Sequence, residues 1–381
     1  MKANKIEYPT SYKVFWITLA LLILGGMLIL FSASTRIALK FEGNANSFFE
    51  SHIKYLSISL MLGFIAYLFD YKSYKKLTWF LILFTAGLLI YTLVRKFSSG
   101  STSPARWLSI GNSNIFQLAE IVKFTLILYV SAYLSNHNED LSNFKKGFLP
   151  VFLISMTFII LIALTPDLSS SFMLLVIVIT MLYVGGAKLW HIISVLLPSL
   201  IAGGIYTWIE PYRRARILAK FNPEDISNAN YQIRQSLISL SGGGFFGRGF
   251  GNSSGKNLFL PEAHTDFIFS IAGEELGFIS TFLILIAFIV LFISMMRIAK
   301  NVKDLFGKYI LFGTAFSLIL YAMANALVCV GIGPVTGLPM PFISKSGSQL
   351  LINLVLLGIS LNVIKQTQNA EQKKAEFLHE L

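Results

Sequence analysis

The 381-residue chain is 55% hydrophobic and 13% charged, with a mean hydropathy of +0.67 and a formal net charge of +12. Soluble domains are about 25% charged, so this chain cannot cover a water-facing surface. Its apolar runs point to one integral membrane domain rather than two or three soluble ones. A single cysteine, Cys329, excludes an intrachain disulfide framework and a cysteine-based metal site. The five histidines (His52, His137, His191, His264 and His379) lack the paired spacing of a zinc enzyme. In a membrane protein the positive charge points to anionic lipid head groups, and no basic-aromatic module argues for nucleic acid.

In chain order, Lys2, Lys5 and Lys13 lead into the apolar run Val14 to Phe31, and Ser32-Ala33-Ser34 imitates a cleavage site. The run exceeds the ~7–15 residues of a signal peptide's apolar core, so it reads as a retained first span. A spanning helix needs about 20 mainly apolar residues. Such windows fall near 14–33, 53–69, 77–94, 117–134, 148–164, 171–186, 189–208, 268–298, 309–331 and 347–364. The expected fold is an all-α polytopic integral membrane protein of about ten transmembrane helices. It carries a large extracytoplasmic loop, about 209–265, between helices 7 and 8. The transmembrane domain covers 14–364, between tails 1–13 and 365–381. The eighth window is too long for one straight span, so its first turns are expected in a cavity or at the interface.

Lysine and arginine in short loops set the orientation. Lys2, Lys5, Lys13, Lys72, Lys75, Lys76, Lys145, Lys146, Lys188, Arg297, Lys300, Lys303, Lys308, Lys365, Lys373 and Lys374 fall on one side. The other side's short loops hold fewer, which places both termini in the cytoplasm. The long loop breaks this rule with Arg213, Arg214, Arg216, Lys220, Arg234, Arg248 and Lys256. It reads either as a solvated basic loop or as a site for an anionic ligand.

Several segments could carry chemistry. Arg106 before Trp107 fits an interfacial anchor or a ligand contact. Glu120 and Lys123 share a face of the fourth helix, and such a pair must face the bundle interior or a cavity. Asp167, beside Pro166, is a turn residue or a cavity-lining acid. Arg213, Arg214 and Arg216 place three guanidiniums within one or two turns, suited to bidentate phosphate recognition. Ile233 to Ile238, with Tyr231, Gln232 and Gln235, reads as an amphipathic segment lying on the membrane. Gly242 to Gly251 formally contains GxGxxG, but no βαβ unit surrounds it and the dinucleotide reading fails. It fits flexible backbone against a lipid head group as well as a plain turn. Leu260-Pro261-Glu262-Ala263-His264-Thr265-Asp266 leads into an apolar helix that Thr265 or Asp266 could cap. Glu274 and Glu275 follow about two turns later, as functional acids or structural pairs.

These segments together resemble the SEDS family, the FtsW/RodA proteins of bacterial cell-wall synthesis, from about residue 14 to 364. The match rests on Ala105-Arg106-Trp107, Phe116-Gln117, Glu120 with Lys123, Pro166-Asp167, Tyr212-Arg213-Arg214 with Arg216, and Tyr231-Gln232 with Gln235-Ser236. It continues through Gly242 to Gly251, Leu260 to Phe269, Glu274-Glu275-Leu276-Gly277 and Thr336 to Ser344. Departures are local: Leu118-Ala119 stands where the family has Pro-Ser, Ser169-Ser170 where it has Gly-Thr, and Lys345-Ser346 where it has Tyr-Gly. Residues 260–266 and 235–238 are nearer the division branch than the elongation branch.

The resemblance implies ten spans, cytoplasmic termini and peptidoglycan glycosyltransferase activity on lipid II. It also implies a class B penicillin-binding protein transpeptidase and other divisome proteins as partners. Asp266 matches the carboxylate on which the family's catalysis depends. Arg106, Glu120, Lys123, Asp167, Arg213, Arg214, Arg216, Gln235 and His264 become expected substrate contacts. A divalent cation (magnesium or manganese) beside the phosphates is compatible, though no ligand motif demands it. The rivals are an elongation-type polymerase, a lipid II flippase without chemistry, and a scaffold that recruits the transpeptidase.

Overall fold

The computed structural model describes residues 10–98, 106–110, 113–209, 214, 228–256 and 260–380. Among them are eleven α-helices: α1 (Thr10–Glu42), α2 (Ser47–Leu68), α3 (Tyr71–Ser98), α4 (Leu118–Asn136), α5 (Leu149–Leu164), α6 (Leu168–Val184), α7 (Leu189–Ile209), α8 (Asn228–Gly243), α9 (Ile268–Asn301), α10 (Leu305–Cys329) and α11 (Gly347–Glu380). Nine of the described segments are long and apolar enough to cross a membrane, and the 17-residue α6 is a shorter apolar helix. At 1.5 Å per residue α6 is about 26 Å long, close to the ~30 Å hydrocarbon core. With it the apolar helices number ten among the described residues, in line with the expectation of about ten spans. The chain is a multi-pass membrane protein.

Local chemistry sets the helix ends. Asp167 caps α6 by accepting from Ser170 N at 3.2 Å, and Asp304 caps α10 by accepting from Gly307 N at 2.9 Å. The helices present Leu21, Leu28, Phe80, Leu83, Leu197 and Leu283 outward, as a hydrocarbon solvent permits. Inside, one apolar core joins α1, α2, α9, α10 and α11, and a second joins α3–α6 with α10 and α11. The helices α10 and α11 belong to both. Gly63 and Gly358 let the backbones of α2 and α11 touch, where any Cβ would collide. Asn362 then locks the α2–α3 turn, donating to Tyr67 O at 2.7 Å and accepting from Tyr71 N at 2.9 Å.

Two features differ from a simple bundle. A hairpin, β1 (Trp107–Ile110) with β2 (Ser113–Gln117), interrupts the all-α expectation; Trp107 pairs with Gln117, and a register shift follows Leu108. Its last residue leads directly into α4. The overlong eighth run, whose first turns are expected in a cavity or at the interface, is broken: Gly277 has φ 79° and ψ −179° inside α9, and residues 268–275 before it are buried. That backbone conformation is essentially confined to glycine.

Candidate active site

Polar side chains gather on the face opposite the termini, where α4, α6 and α11 begin and α10 ends. Glu120 and Lys123, 3% and 1% exposed, form an ion pair at 2.6 Å on the first turns of α4. The ammonium also donates to Asn353 Oδ1 of α11 at 3.0 Å and lies 4.7 Å from the Tyr321 ring centroid. This cage resolves the question left open by the i, i+3 spacing: both charges face the interior. Tyr321 Oη, Asn353 Nδ2 and Thr336 Oγ1 are buried and have no hydrogen-bond partner among the described residues.

One turn along α10 from Tyr321, Asn325 Nδ2 donates to the carbonyls of Asp266 and Leu338, both at 2.8 Å. Asn325 thereby holds the turn bearing Asp266 against the 336–344 loop. Ser344 Oγ repeats the tie by donating to Thr265 O at 2.6 Å. Asp266 itself is half-buried. Gly337, at φ 68°, passes so close that a Cβ there would lie 3.4 Å from Asp266 Oδ2. Thr265 does not take the capping role open to it. Phe267 precedes the helix without a side-chain cap, while Thr265 Oγ1 donates back to Glu262 O at 3.2 Å and Oε2 at 2.8 Å. The 262–267 segment is a series of turns that ends before α9 begins, and the residue at the cap position is Phe267.

His264 is packed beside Phe48, with ring centroids 5.1 Å apart, and its carbonyl accepts from Lys345 N at 3.0 Å. Burial, with a smaller contribution from Lys345, lowers its pKa to about 4 against the opposing pull of Glu262. It supports the turn from behind. Lys345 Nζ lies 3.1 Å from the Phe48 ring centroid, and burial lowers its pKa despite Glu42 and Glu262. The residue that departs from the family pattern is thus built into the wall next to Asp266.

Arg106 is a tie rather than an interfacial anchor: its Nε and Nη2 donate to Pro166 O at 3.1 and 2.7 Å. Asp167, 5% exposed, accepts from Gln117 Nε2 at 3.4 Å besides capping α6. Gln235 is half-buried on α8. The segment 233–238 does not simply lie on the membrane; α8 is bonded into the bundle through Ser236 Oγ, which donates to Cys329 O and pairs with Ser270 Oγ, both at 2.6 Å. Arg214 is exposed, while Arg213 and Arg216 lie outside the described residues.

Glu274 and Glu275 resolve as structural acids. Glu274 accepts from Ser253 Oγ (2.6 Å), Ser254 N (2.8 Å), Gly255 N (3.1 Å) and Arg248 Nη1 (3.0 Å). Glu275 accepts from Ser32 Oγ and Lys256 Nζ, both at 2.7 Å. The glycine-rich run is a turn seated on the α9 break: Arg248 N and Gly249 N donate to the carbonyls of Glu274 and Glu275. Asn325, Asn353 and Tyr321 were missed by sequence reasoning, and Lys256, counted there among the basic residues of the long loop, pairs with Glu275. The available signal was an amide inside each of two apolar helices.

Residues 12–369 match the family model described as Cell cycle protein, FtsW/RodA/SpoVE. The chain belongs to this family. A probable peptidoglycan glycosyltransferase FtsW of Coxiella burnetii is 35% identical over 374 residues, 97% of this chain and 100% of that protein. Another, of Geobacter sp. strain M18, is 35% identical over 350 residues, covering 91% and 94%. Stage V sporulation protein E of Bacillus subtilis is 32% identical over 355 residues, covering 92% and 96%. Among solved structures, a chain of a peptidoglycan synthase complex superposes with a TM-score of 0.73 at 22% identity, covering 95% of this chain and 99% of that one. Thermus thermophilus rod shape determining protein RodA gives 0.66 at 22%, covering 96% and 99%. At that identity the likeness is one of fold.

Proposed function

We propose that this chain is a peptidoglycan glycosyltransferase that polymerises lipid II at the outer face of the bacterial cytoplasmic membrane, for septal wall synthesis. The observation that carries the reading is Asp266: a half-buried carboxylate on a turn fixed by Asn325 and Ser344, in a member of the FtsW/RodA/SpoVE family. It accepts the proton from the acceptor sugar's hydroxyl as that oxygen attacks the donor's anomeric carbon. The anomeric C–O bond breaks, and undecaprenyl pyrophosphate leaves with the bonding electrons. Arg213, Arg214 and Arg216 stabilise the departing phosphates. Lys123, buried and compensated by Glu120, contributes through the field of the polar layer.

The positive-inside pattern supports cytoplasmic termini, and the relatives named FtsW support division over elongation. A class B penicillin-binding protein is the partner that would crosslink the strands, with other divisome proteins around it. A divalent cation would accompany the donor's phosphates: among the described residues no three His, Cys, Asp or Glu side chains meet, and no step above passes through a metal. A transporter would place its charges at the midplane, accessible from both sides. Here they crowd one face.

Purified chain, with and without its transpeptidase, is given labelled lipid II and scored for glycan strands. Strands are expected from the wild type, and Asp266→Asn is expected to lose ~10²–10⁴-fold in rate while retaining lipid II binding. Translocation of lipid II without polymer, or wild-type polymerisation by folded Asp266→Asn, overturns the reading.

A further inference from the structure

A second site lies away from the polar layer, between α1, α2 and α11 on the side of the termini. It is a groove of about 890 Å³ walled by Leu19, Ile23, Leu60, Leu357 and Leu361. Its form follows from the packing described above. Gly63 and Gly358 bring α2 and α11 into backbone contact and leave no side chains to fill the trough between that pair and α1. Along α1 the lining runs from Tyr12 to Ile23 and along α11 from Leu354 to Asn369, about 17 and 22 Å at 1.5 Å per residue. Half of a ~30 Å hydrocarbon core plus one head-group layer has that depth.

The groove is polar only at its terminus-side mouth, which carries Lys13, Lys365, Gln368 and Asn369. Among the described residues its lining holds no carboxylate. Both lysines are exposed, and neither makes an ion pair among the described residues. Lys365 Nζ rests 5.0 Å from the Tyr67 ring centroid, which keeps the charge over the mouth. An apolar trough one leaflet deep, with two ammonium groups that make no ion pair among the described residues and two amides at its rim, is complementary to one kind of molecule in a bilayer. Basic pockets between spans on the cytoplasmic side bind anionic head groups in this way.

We propose that this groove seats an anionic phospholipid of the terminus-side leaflet, its acyl chains along α1 and α11 and its phosphate between Lys13 and Lys365. The occupant would bridge the first and last spans, which the sequence separates by more than 300 residues. It is independent of lipid II chemistry, so its test does not depend on the glycosyltransferase reading.

Delipidated full-length protein is titrated with phosphatidylglycerol and with phosphatidylcholine of the same acyl chains, and bound lipid is counted by native mass spectrometry. Phosphatidylglycerol is expected to bind preferentially. Each lysine contributes about five-fold, so Lys13→Gln with Lys365→Gln should lower phosphatidylglycerol affinity roughly thirty-fold and leave phosphatidylcholine unchanged. Ala20→Trp, which fills the groove, should reduce both lipids. The proposal falls if the two lipids bind alike or if the double variant keeps its preference. It also falls if a photoreactive side chain at position 20 captures a polypeptide instead of lipid.

Discussion

Lys123 is 1% exposed, yet it keeps a full set of partners: the Glu120 carboxylate, the Asn353 amide oxygen and the Tyr321 ring face. Removing one charge strands the other in low dielectric, which costs ~3–5 kcal/mol, whereas removing both can be nearly neutral. Glu120→Gln or Lys123→Met alone is therefore expected to lower the amount of folded protein in the membrane, and the double variant to restore most of it. Additive losses in the double variant would show that the two side chains do not act as a pair. His264 gives a second test with the opposite physics. Its folded pKa of about 4 lies below the ordinary 6.5 because burial disfavours the cation. The unfolded chain then binds a proton that the folded chain refuses, so stability is complete above about pH 6.5 and declines as pH falls toward 4, by about 3 kcal/mol in all. Thermal unfolding in detergent should show that decline in the wild type and less of it in His264→Gln. Identical pH profiles would remove His264 from the account.

At the scale of elements, the decisive contact is the glycine-rich turn on the break in α9. Gly277 faces the backbone of Phe245 and Gly247, so a Cβ there meets both strain and collision. Gly244 also has positive φ, 55°, but a Cβ there meets nothing within 4 Å. Gly244→Ala should thus cost only the ~1–2 kcal/mol of a left-handed residue, and Gly277→Ala distinctly more, read as melting temperature. Equal losses would mean that backbone strain alone matters and the close approach does not. This element also marks where sequence reading stops. That the run from 268 to 298 is not one straight span was legible from its length, though not the break at Gly277, and the helical spacing put Glu120 and Lys123 on one face without deciding whether they pair. The partners of Glu275 were not: Ser32 is 243 residues away, and no local pattern encodes such a contact. The hairpin escaped for a different reason. Its strands are four and five residues, too short for alternation to stand out beside the adjoining spans.

For the whole molecule, the ten hydropathy windows correspond to nine described helices long and apolar enough to cross a membrane and the shorter α6; if all ten cross, parity predicts the termini on one side and the Asp266 turn on the other. The charge census predicts the sign: lysines and arginines are denser in the short loops on the terminus side, which the positive-inside rule expects to be cytoplasmic. The basic long loop does not contradict this, because long segments translocate largely regardless of charge. Chain composition makes the assignment testable with little background, since the single cysteine, Cys329, is buried. A cysteine introduced at exposed Phe250, on the glycine-rich turn seated near the start of α9, and one at exposed Asn301, its last residue, lie at opposite ends of that helix. In right-side-out vesicles an impermeant maleimide should label Phe250→Cys at once and Asn301→Cys only after permeabilisation, and inside-out vesicles should reverse the order. Labelling of both from one side would break the crossing assigned to α9. Labelling in the reverse sense would keep the fold and invert it, placing Asp266 on the cytoplasmic face, where strands made at the outer surface could not be polymerised.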